Sequence, residues 1–187
     1  MQDYGAFISS WPDVYGCDLA GEVAEIGSKV EGFHVGQRVL AHALRLGNKK
    51  VSHGAFQKFV LAEAQATTPL PESVSYEAAS ALPLSLSTAA HGLYSQDYLG
   101  LPLPTNSPKD TGKTILVWGG SGSVGAAVIQ LAVASGLKVV STASPRNFDF
   151  VKSLGASEVF DYRDSNIADD LLAALKGTNL VGAYDGA

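Results

Sequence analysis

Cysteine is nearly absent. Cys17 stands alone among 187 residues, so no internal disulfide can form, and the chain fits a reducing, cytoplasmic compartment. Long apolar runs are absent too. Nothing approaches the about 20 consecutive apolar residues that span a bilayer, and no cleavable signal precedes the first element, which argues against a membrane protein. Positive charge is in deficit. A formal net charge of −5 argues against nucleic acid or an anionic membrane surface as a general partner. There is no internal repeat and no low-complexity tract. What remains, 46% apolar and 17% charged residues, is enough to build a core over one or two domains.

The most informative stretch is residues 114–125, Thr-Ile-Leu-Val-Trp-Gly-Gly-Ser-Gly-Ser-Val-Gly. An apolar, β-branched run (Ile115–Trp118) breaks into glycines and then into a helical pattern, Ala126 to Ser135. Gly120, Gly122 and Gly125 fit G-x-G-x-x-G. Gly120 is expected to permit the tight turn, Gly122 to let a phosphate reach the backbone, and Gly125 to let helix and strand pack closely. The helix then aims free N–H groups and its positive dipole end at the anion.

The following strand, Leu137–Thr142, bears on which dinucleotide is preferred. NAD sites place an acid at its end, about 20 residues beyond the glycines, to bond the ribose 2′-hydroxyl. Here Ser144-Pro145-Arg146-Asn147 holds that place, with no acid until Asp149. A hydroxyl, a guanidinium and an amide bind a 2′-phosphate, whereas a carboxylate repels one. The expected cofactor is NADP(H). The alternative for Arg146 is a solvated surface arginine.

The remaining pattern continues as β and α units. Phe148–Leu154 reads as a short helix closed by Gly155, and Glu158–Tyr162 as a strand. Ile167–Lys176 reads as a helix stopped by Gly177, and Leu180–Tyr184 as another apolar strand. Alternation of this kind predicts a doubly wound parallel sheet with its ligand outside the carboxyl ends of the strands. The first seventy-odd residues differ. Gly16–Gly27, Val35–Val39 and the alternating Gly54–Val60 read as short strands with glycine corners, hence a small, bent β-domain. Pro69–Pro71 reads as a linker, Tyr76–Leu82 and Ser87–Tyr98 as helical pieces, and Leu101–Lys113 as a surface loop.

Gly16-Cys17-Asp18-Leu19-Ala20-Gly21-Glu22-Val23, Gly36-Gln37-Arg38-Val39, Gly54-Ala55-Phe56 and Gly119–Gly125, in this order, resemble the medium-chain dehydrogenase/reductase superfamily. Ser144–Asp149 and Phe160-Asp161-Tyr162 resemble its zinc-independent fungal branch, which holds trans-acting polyketide enoyl reductases and zinc-binding oxidoreductase-like relatives. The resemblance implies a partial GroES-like substrate domain (residues 1–74) and a partial Rossmann NADP-binding domain (75–187), an α/β architecture. It implies that Gly122, Ser123, Val124 and Gly125 hold the pyrophosphate, and that Ser144, Pro145, Arg146 and Asn147 surround the 2′-phosphate. Tyr162 would lie beside the adenosine, with an ordinary strand-end tyrosine as the alternative, and Thr88 near nicotinamide and substrate.

Metal is not expected. Zinc-dependent relatives need a cysteine, a His-Glu pair and further cysteines, and here Cys17-Asp18 stands in place of that pair. His34, His42, His53 and His91 lack ligand spacing and read as polar surface or partly buried residues. Asp18 and Glu22 share a strand face but read as structural or solvated. The implied chemistry is hydride addition to the double bond of an enoyl thioester or enone, in fungal secondary metabolism. No general acid stands out; Thr88, Ser87, Tyr94 and Tyr98 are candidates by position only.

Full superfamily members extend further at both ends. The chain starts at Met1–Gly5, where relatives already have strands behind them, and stops at Ala183–Ala187 within the Rossmann sheet. A partner chain covering the exposed edges, a truncated product, and a rebuilt fold all remain open, and a polyketide synthase is a further candidate partner. So do three functions: an NADPH-dependent reductase, a module that binds a nucleotide or polyketide-like ligand without turnover, and a repurposed pocket for a non-redox cyclisation.

Overall fold

The computed structural model describes residues 11–187, so the reading of Met1–Gly5 lies outside the described residues. The chain divides after Leu84 into two units. In the first, strands β1 (Asp18–Glu22), β2 (Arg38–His42) and β3 (Thr67–Pro69) form an antiparallel sheet in the order β1-β2-β3. Asp18 faces His42, Glu22 faces Arg38, and Val39 faces Pro69. Side-chain alternation along β2 buries Val39 and Ala41 beside Cys17, Ala43 and Leu70. Pro69–Pro71 is therefore not a simple linker. Pro69 closes an edge strand, where its missing N–H costs nothing, and the Leu70 N–H donates to the Arg38 carbonyl at 2.9 Å.

Gly54–Val60 alternates as a strand should, yet no strand forms there. Its donors are spent otherwise. The N–H groups of Ala55 and Phe56 go to the carbonyls of Gly16 and Tyr15, and the Gln57 amide donates to the carbonyls of Val51, Ser52 and Gly54. Phe56 and Phe59 stay exposed. A short helix, α1 (Arg45–Asn48), precedes this bend.

Charged side chains brace this unit where its core is thin. The Arg38 guanidinium donates to the carbonyls of Glu72 and Val74 at 3.1 and 2.6 Å, pairs with the Glu72 carboxylate at 2.9 Å, and lies 4.6 Å from the Tyr76 ring centre. Ser75 caps α2 (Tyr76–Ala79) by accepting from the Ala78 N–H at 3.2 Å. Asp18 and Glu22 are structural acceptors: Asp18 takes the Leu84 N–H, and Glu22 takes the Tyr76 hydroxyl at 3.1 Å. Asp13 and Arg45, each 3% exposed, form a two-bond ion pair. His53 is fully buried, with the Asn48 amide nitrogen 2.8 Å from its Nδ1.

Helix α3 (Pro83–Tyr94) leads into the second unit, whose sheet has the order β6-β5-β4-β7, all parallel. The strands are β4 (Lys113–Trp118), β5 (Lys138–Ala143), β6 (Glu158–Asp161) and β7 (Asn179–Asp185). Helices α4 (Ser123–Ala134), α5 (Phe148–Ser153) and α6 (Ile167–Leu175) supply the crossovers. Ile115, Val117, Val139 and Val140 from the central strands are wholly buried, with Val128 and Ile129 of α4, Val151 of α5, and Ala89 and Leu93 of α3. Successive connections run from β4 out to β6 and then back across to β7. The strand order therefore reverses beside β4, which places the switch point at the strand that ends in the glycine run. Together the bent β unit and the parallel sheet make the α/β architecture that the sequence predicts. Leu101 departs from the surface-loop reading of 101–113, since it is buried against this core, and Lys113 already belongs to β4.

The buried pair gives a pH-dependent expectation. The Arg45 hydrogen bond holds the Asp13 carboxyl below the usual carboxylate range, against the opposing effect of burial. A pKa depressed by folding adds stability that is present above the ordinary carboxylate value and lost as pH falls through the depressed one. Asp13→Asn is expected to lower the thermal midpoint at pH 7, with the gap to wild type closing below about pH 4. A gap that stays constant down to acid pH contradicts the pairing.

Candidate functional site

β4 ends at Trp118, and the chain turns through Gly119, Gly120 and Ser121 before α4 begins at Ser123. The left-handed residue of this turn is Gly119, with φ +77°, so the tight turn sits one residue ahead of Gly120, where the sequence reading put it. Gly120 is needed for space instead: a Cβ there would run into Ser141 Oγ and lie 2.8 Å from Ile129 Cδ1. β5 anchors the turn. The Gly119 N–H donates to Thr142 Oγ1 at 3.0 Å and the Gly120 N–H to the Thr142 carbonyl at 2.9 Å. Ser141 Oγ donates to the Val117 carbonyl at 2.8 Å.

α4 starts three residues earlier than its apolar pattern implied, which puts Gly125 inside its first turn. A Cβ at Gly125 would strike the Gly119 carbonyl oxygen and lie 2.9 Å from Gly120 Cα, so helix and turn meet backbone to backbone. Gly186 closes in from β7: its N–H donates to the Trp118 carbonyl at 2.9 Å, and a Cβ on it would lie 2.8 Å from Gly125 Cα. Gly122 is less confined, the nearest atom to a Cβ being the Gly186 carbonyl oxygen at 3.2 Å. As the first helical residues, Ser123, Val124 and Gly125 have no carbonyl a turn behind them to bond. No acidic residue lies in that turn and Gly122 supplies no side-chain cap, so no side chain of the turn offsets the positive helix end.

The segment after β5 lies at the same end of the neighbouring parallel strand. Ser144 is buried and precedes a single 3-10 turn, Pro145–Asn147. The Asn147 amide donates to Ser144 Oγ at 3.2 Å, and Arg146 is exposed with no carboxylate partner among the described residues. Past β6, Tyr162 is 38% exposed. The Arg163 guanidinium donates to its hydroxyl at 3.0 Å and lies 5.2 Å from its ring centre. Gly120–Gly125, Ser144–Asn147 and Tyr162 thus share the carboxyl edge of β4, β5 and β6.

Thr88 is on α3, and its carbonyl accepts the Tyr184 hydroxyl at 2.9 Å. Both border an open cavity of about 430 Å³, with His91, Tyr98 and Asp185. Tyr94, one of the hydroxyls considered as a proton source, serves packing: it donates to the Leu131 carbonyl at 3.2 Å, lies 3.1 Å from Ser135 Oγ, and burial raises its pKa. Tyr98 is exposed and meets the His91 ring edge-on at 5.0 Å. Burial, with Asp18 adding to it, pushes the Cys17 thiol up, so at neutral pH it is a poor nucleophile or ligand. Among the described residues no group of three His, Cys, Asp or Glu side chains is arranged to hold a metal ion. None of the described helices is long and apolar enough to cross a membrane.

Sequence reasoning passed over Thr142, Arg163, Tyr184 and Gly186. The available signal for Thr142 was its place in a polar pair, Ser141-Thr142, inside an otherwise apolar parallel strand.

Residues 1–72 match the alcohol dehydrogenase GroES-like domain. The dehydrogenase azaJ of Aspergillus niger is 48% identical over 174 residues, 93% of this chain and 50% of that protein. The trans-enoyl reductase himH of Aspergillus japonicus is 48% identical over 176 residues, 94% of this chain and 51% of that one. Among solved structures, mycobacterial Rv1454c complexed with NADPH superposes with a TM-score of 0.72 at 28% identity, covering 97% of this chain and 51% of that chain. The chain thus spans about half the length of the curated relatives it matches.

The close approach at Gly125 is testable without any ligand. Gly125→Ala is expected to cost about 1–3 kcal/mol of stability in denaturant unfolding, because the new methyl meets backbone that cannot rotate away. Gly122→Ala is expected to cost less. Equal costs at the two positions contradict the packing described.

Proposed function

We propose that this chain, which belongs to the medium-chain dehydrogenase/reductase superfamily, binds NADPH along the carboxyl ends of β4, β5 and β6 and serves the reduction of an activated carbon–carbon double bond. The observation that carries the reading is that two features suited to an anion follow adjacent strands. One is the amino end of α4, with no side-chain cap; the other is the Ser144–Asn147 turn, whose Arg146 has no carboxylate partner among the described residues. A dinucleotide with a 2′-phosphate carries anions for both.

Gly122, Ser123, Val124 and Gly125 would hold the pyrophosphate through backbone N–H groups, and Gly120 keeps the turn close to β5. Ser144, Pro145, Arg146 and Asn147 would take the 2′-phosphate, with Tyr162 against the adenine and ribose. Thr88 lines the nicotinamide side. Bound NADPH supplies a hydride, the chemistry that no side chain of this chain can supply. The chain's contribution is binding and orientation: fixed N–H dipoles, a guanidinium with a planar fork of donors, and a packed turn that does not reorganise. The substrate proposed is an α,β-unsaturated thioester or ketone, presented as a free small molecule or by a polyketide synthase. The trans-enoyl reductase named among the relatives supports that choice.

Arg146 gives the direct test. Arg146→Ala is expected to weaken NADPH binding about tenfold or more, the size of a charge-assisted hydrogen bond, while NADH binding stays unchanged. Quenching of Trp118, at the end of the strand that feeds the glycine turn, reports both titrations. A wild-type chain that binds NADH as well as NADPH, or a variant that loses both alike, contradicts the assignment.

A further inference from the structure

Gly92 lies one helical turn beyond Thr88 on α3, so its N–H is the group that bonds the Thr88 carbonyl within the helix. Its missing side chain leaves a notch, which the Tyr184 ring fills. A Cβ on Gly92 would collide with Tyr184 Cε2 and lie 3.0 Å from both Cζ and the hydroxyl oxygen. From that notch the hydroxyl donates to the Thr88 carbonyl at 2.9 Å, giving that oxygen a second donor. Tyr184 is register-paired with Val117, and the next residues, Asp185 and Gly186, lie against Trp118 at the glycine turn. One side chain therefore ties the helix that carries Thr88 to the strand edge that carries the anion site. Burial raises the pKa of this hydroxyl, so it remains a donor at neutral pH.

We propose that Tyr184 is a positioning residue: seated in the Gly92 notch and bonded to the Thr88 carbonyl, it sets where Thr88 stands against the nicotinamide half of the cofactor. This rests on the NADPH reading above. It assigns Tyr184 no contact with the adenosine half, and that asymmetry is what an experiment reads.

The test compares wild type with Tyr184→Phe, which keeps the ring and removes only the hydroxyl, by calorimetric titration with NADPH and with adenosine 2′,5′-bisphosphate. The variant is expected to bind NADPH about three- to tenfold more weakly, with bisphosphate affinity held to within about twofold. Unchanged affinity for both ligands overturns the proposal, and so does an equal loss for both, which marks a merely structural residue. Failure of the underlying reading appears elsewhere: a folded wild-type chain then binds neither ligand, and the proposal falls with it. The notch itself is checked by thermal unfolding. Gly92→Ala is expected to lower the midpoint and Tyr184→Leu in the same chain to restore part of it; no restoration contradicts the notch.

Discussion

Three stretches of backbone meet at the end of β4 with no side chain between them, and the second unit is organised around that contact. Gly119 and Gly120 come from the turn, Gly125 from the first turn of α4, and Gly186 from the end of β7. Each contact is short enough that a single methyl group would force atoms apart. Because the turn is also hydrogen-bonded to Thr142 of β5, its position is set by the sheet rather than by the loop's own preferences. Once the turn is fixed, so are the direction of α4 and the place of its unbonded N–H groups. The proposed anion site would thus be a by-product of close packing, whose rigidity gives fixed dipoles value at a charged ligand.

The first unit solves a different problem. Among the described residues its strands are short and its buried apolar residues are few, mainly Val39, Ala41, Ala43 and Leu70. Guanidinium groups do part of the work that a larger apolar core does elsewhere. Arg38 gathers the 71–76 segment by bonding its carbonyls, and Arg45 is buried against Asp13. A buried pair of this kind gives a defined geometry more than net stability, because desolvating both ions offsets much of their attraction. Among the described residues, Arg45 Nη1 and the Tyr15 hydroxyl have no hydrogen-bond partner.

Much of the second unit was legible because its signals are local. Ile115–Trp118 is a continuous apolar run and Val139-Val140 opens a second strand whose small polar pair, Ser141-Thr142, is also buried, as suits parallel strands covered on both faces, and Gly155 and Gly177 mark where helices stop. The start of α4 was misplaced because Ser123, Val124 and Gly125 read as loop. Only the tertiary contact with Gly119 shows why a helix begins with those residues. Gly54–Val60 alternates correctly, but alternation does not say whether a ladder partner is there, and its donors found Tyr15, Gly16 and the local turn. The glycines, Ser144–Asn147, Tyr162 and Thr88 were nameable from pattern and resemblance. Thr142 and Tyr184 were not: they reach partners 23 and 96 residues away, a distance that local pattern does not carry.

The central claim is that the carboxyl edge of β4, β5 and β6 is one dinucleotide site. Amide chemical-shift mapping of the isotope-labelled chain during an NADPH titration tests it most directly. The account predicts that the largest shifts fall on Gly122, Ser123, Val124 and Gly125, with a second group at Ser144, Arg146, Asn147 and Tyr162, all saturating together. Shifts confined to residues of the first unit, or two groups that saturate at different concentrations, would contradict it.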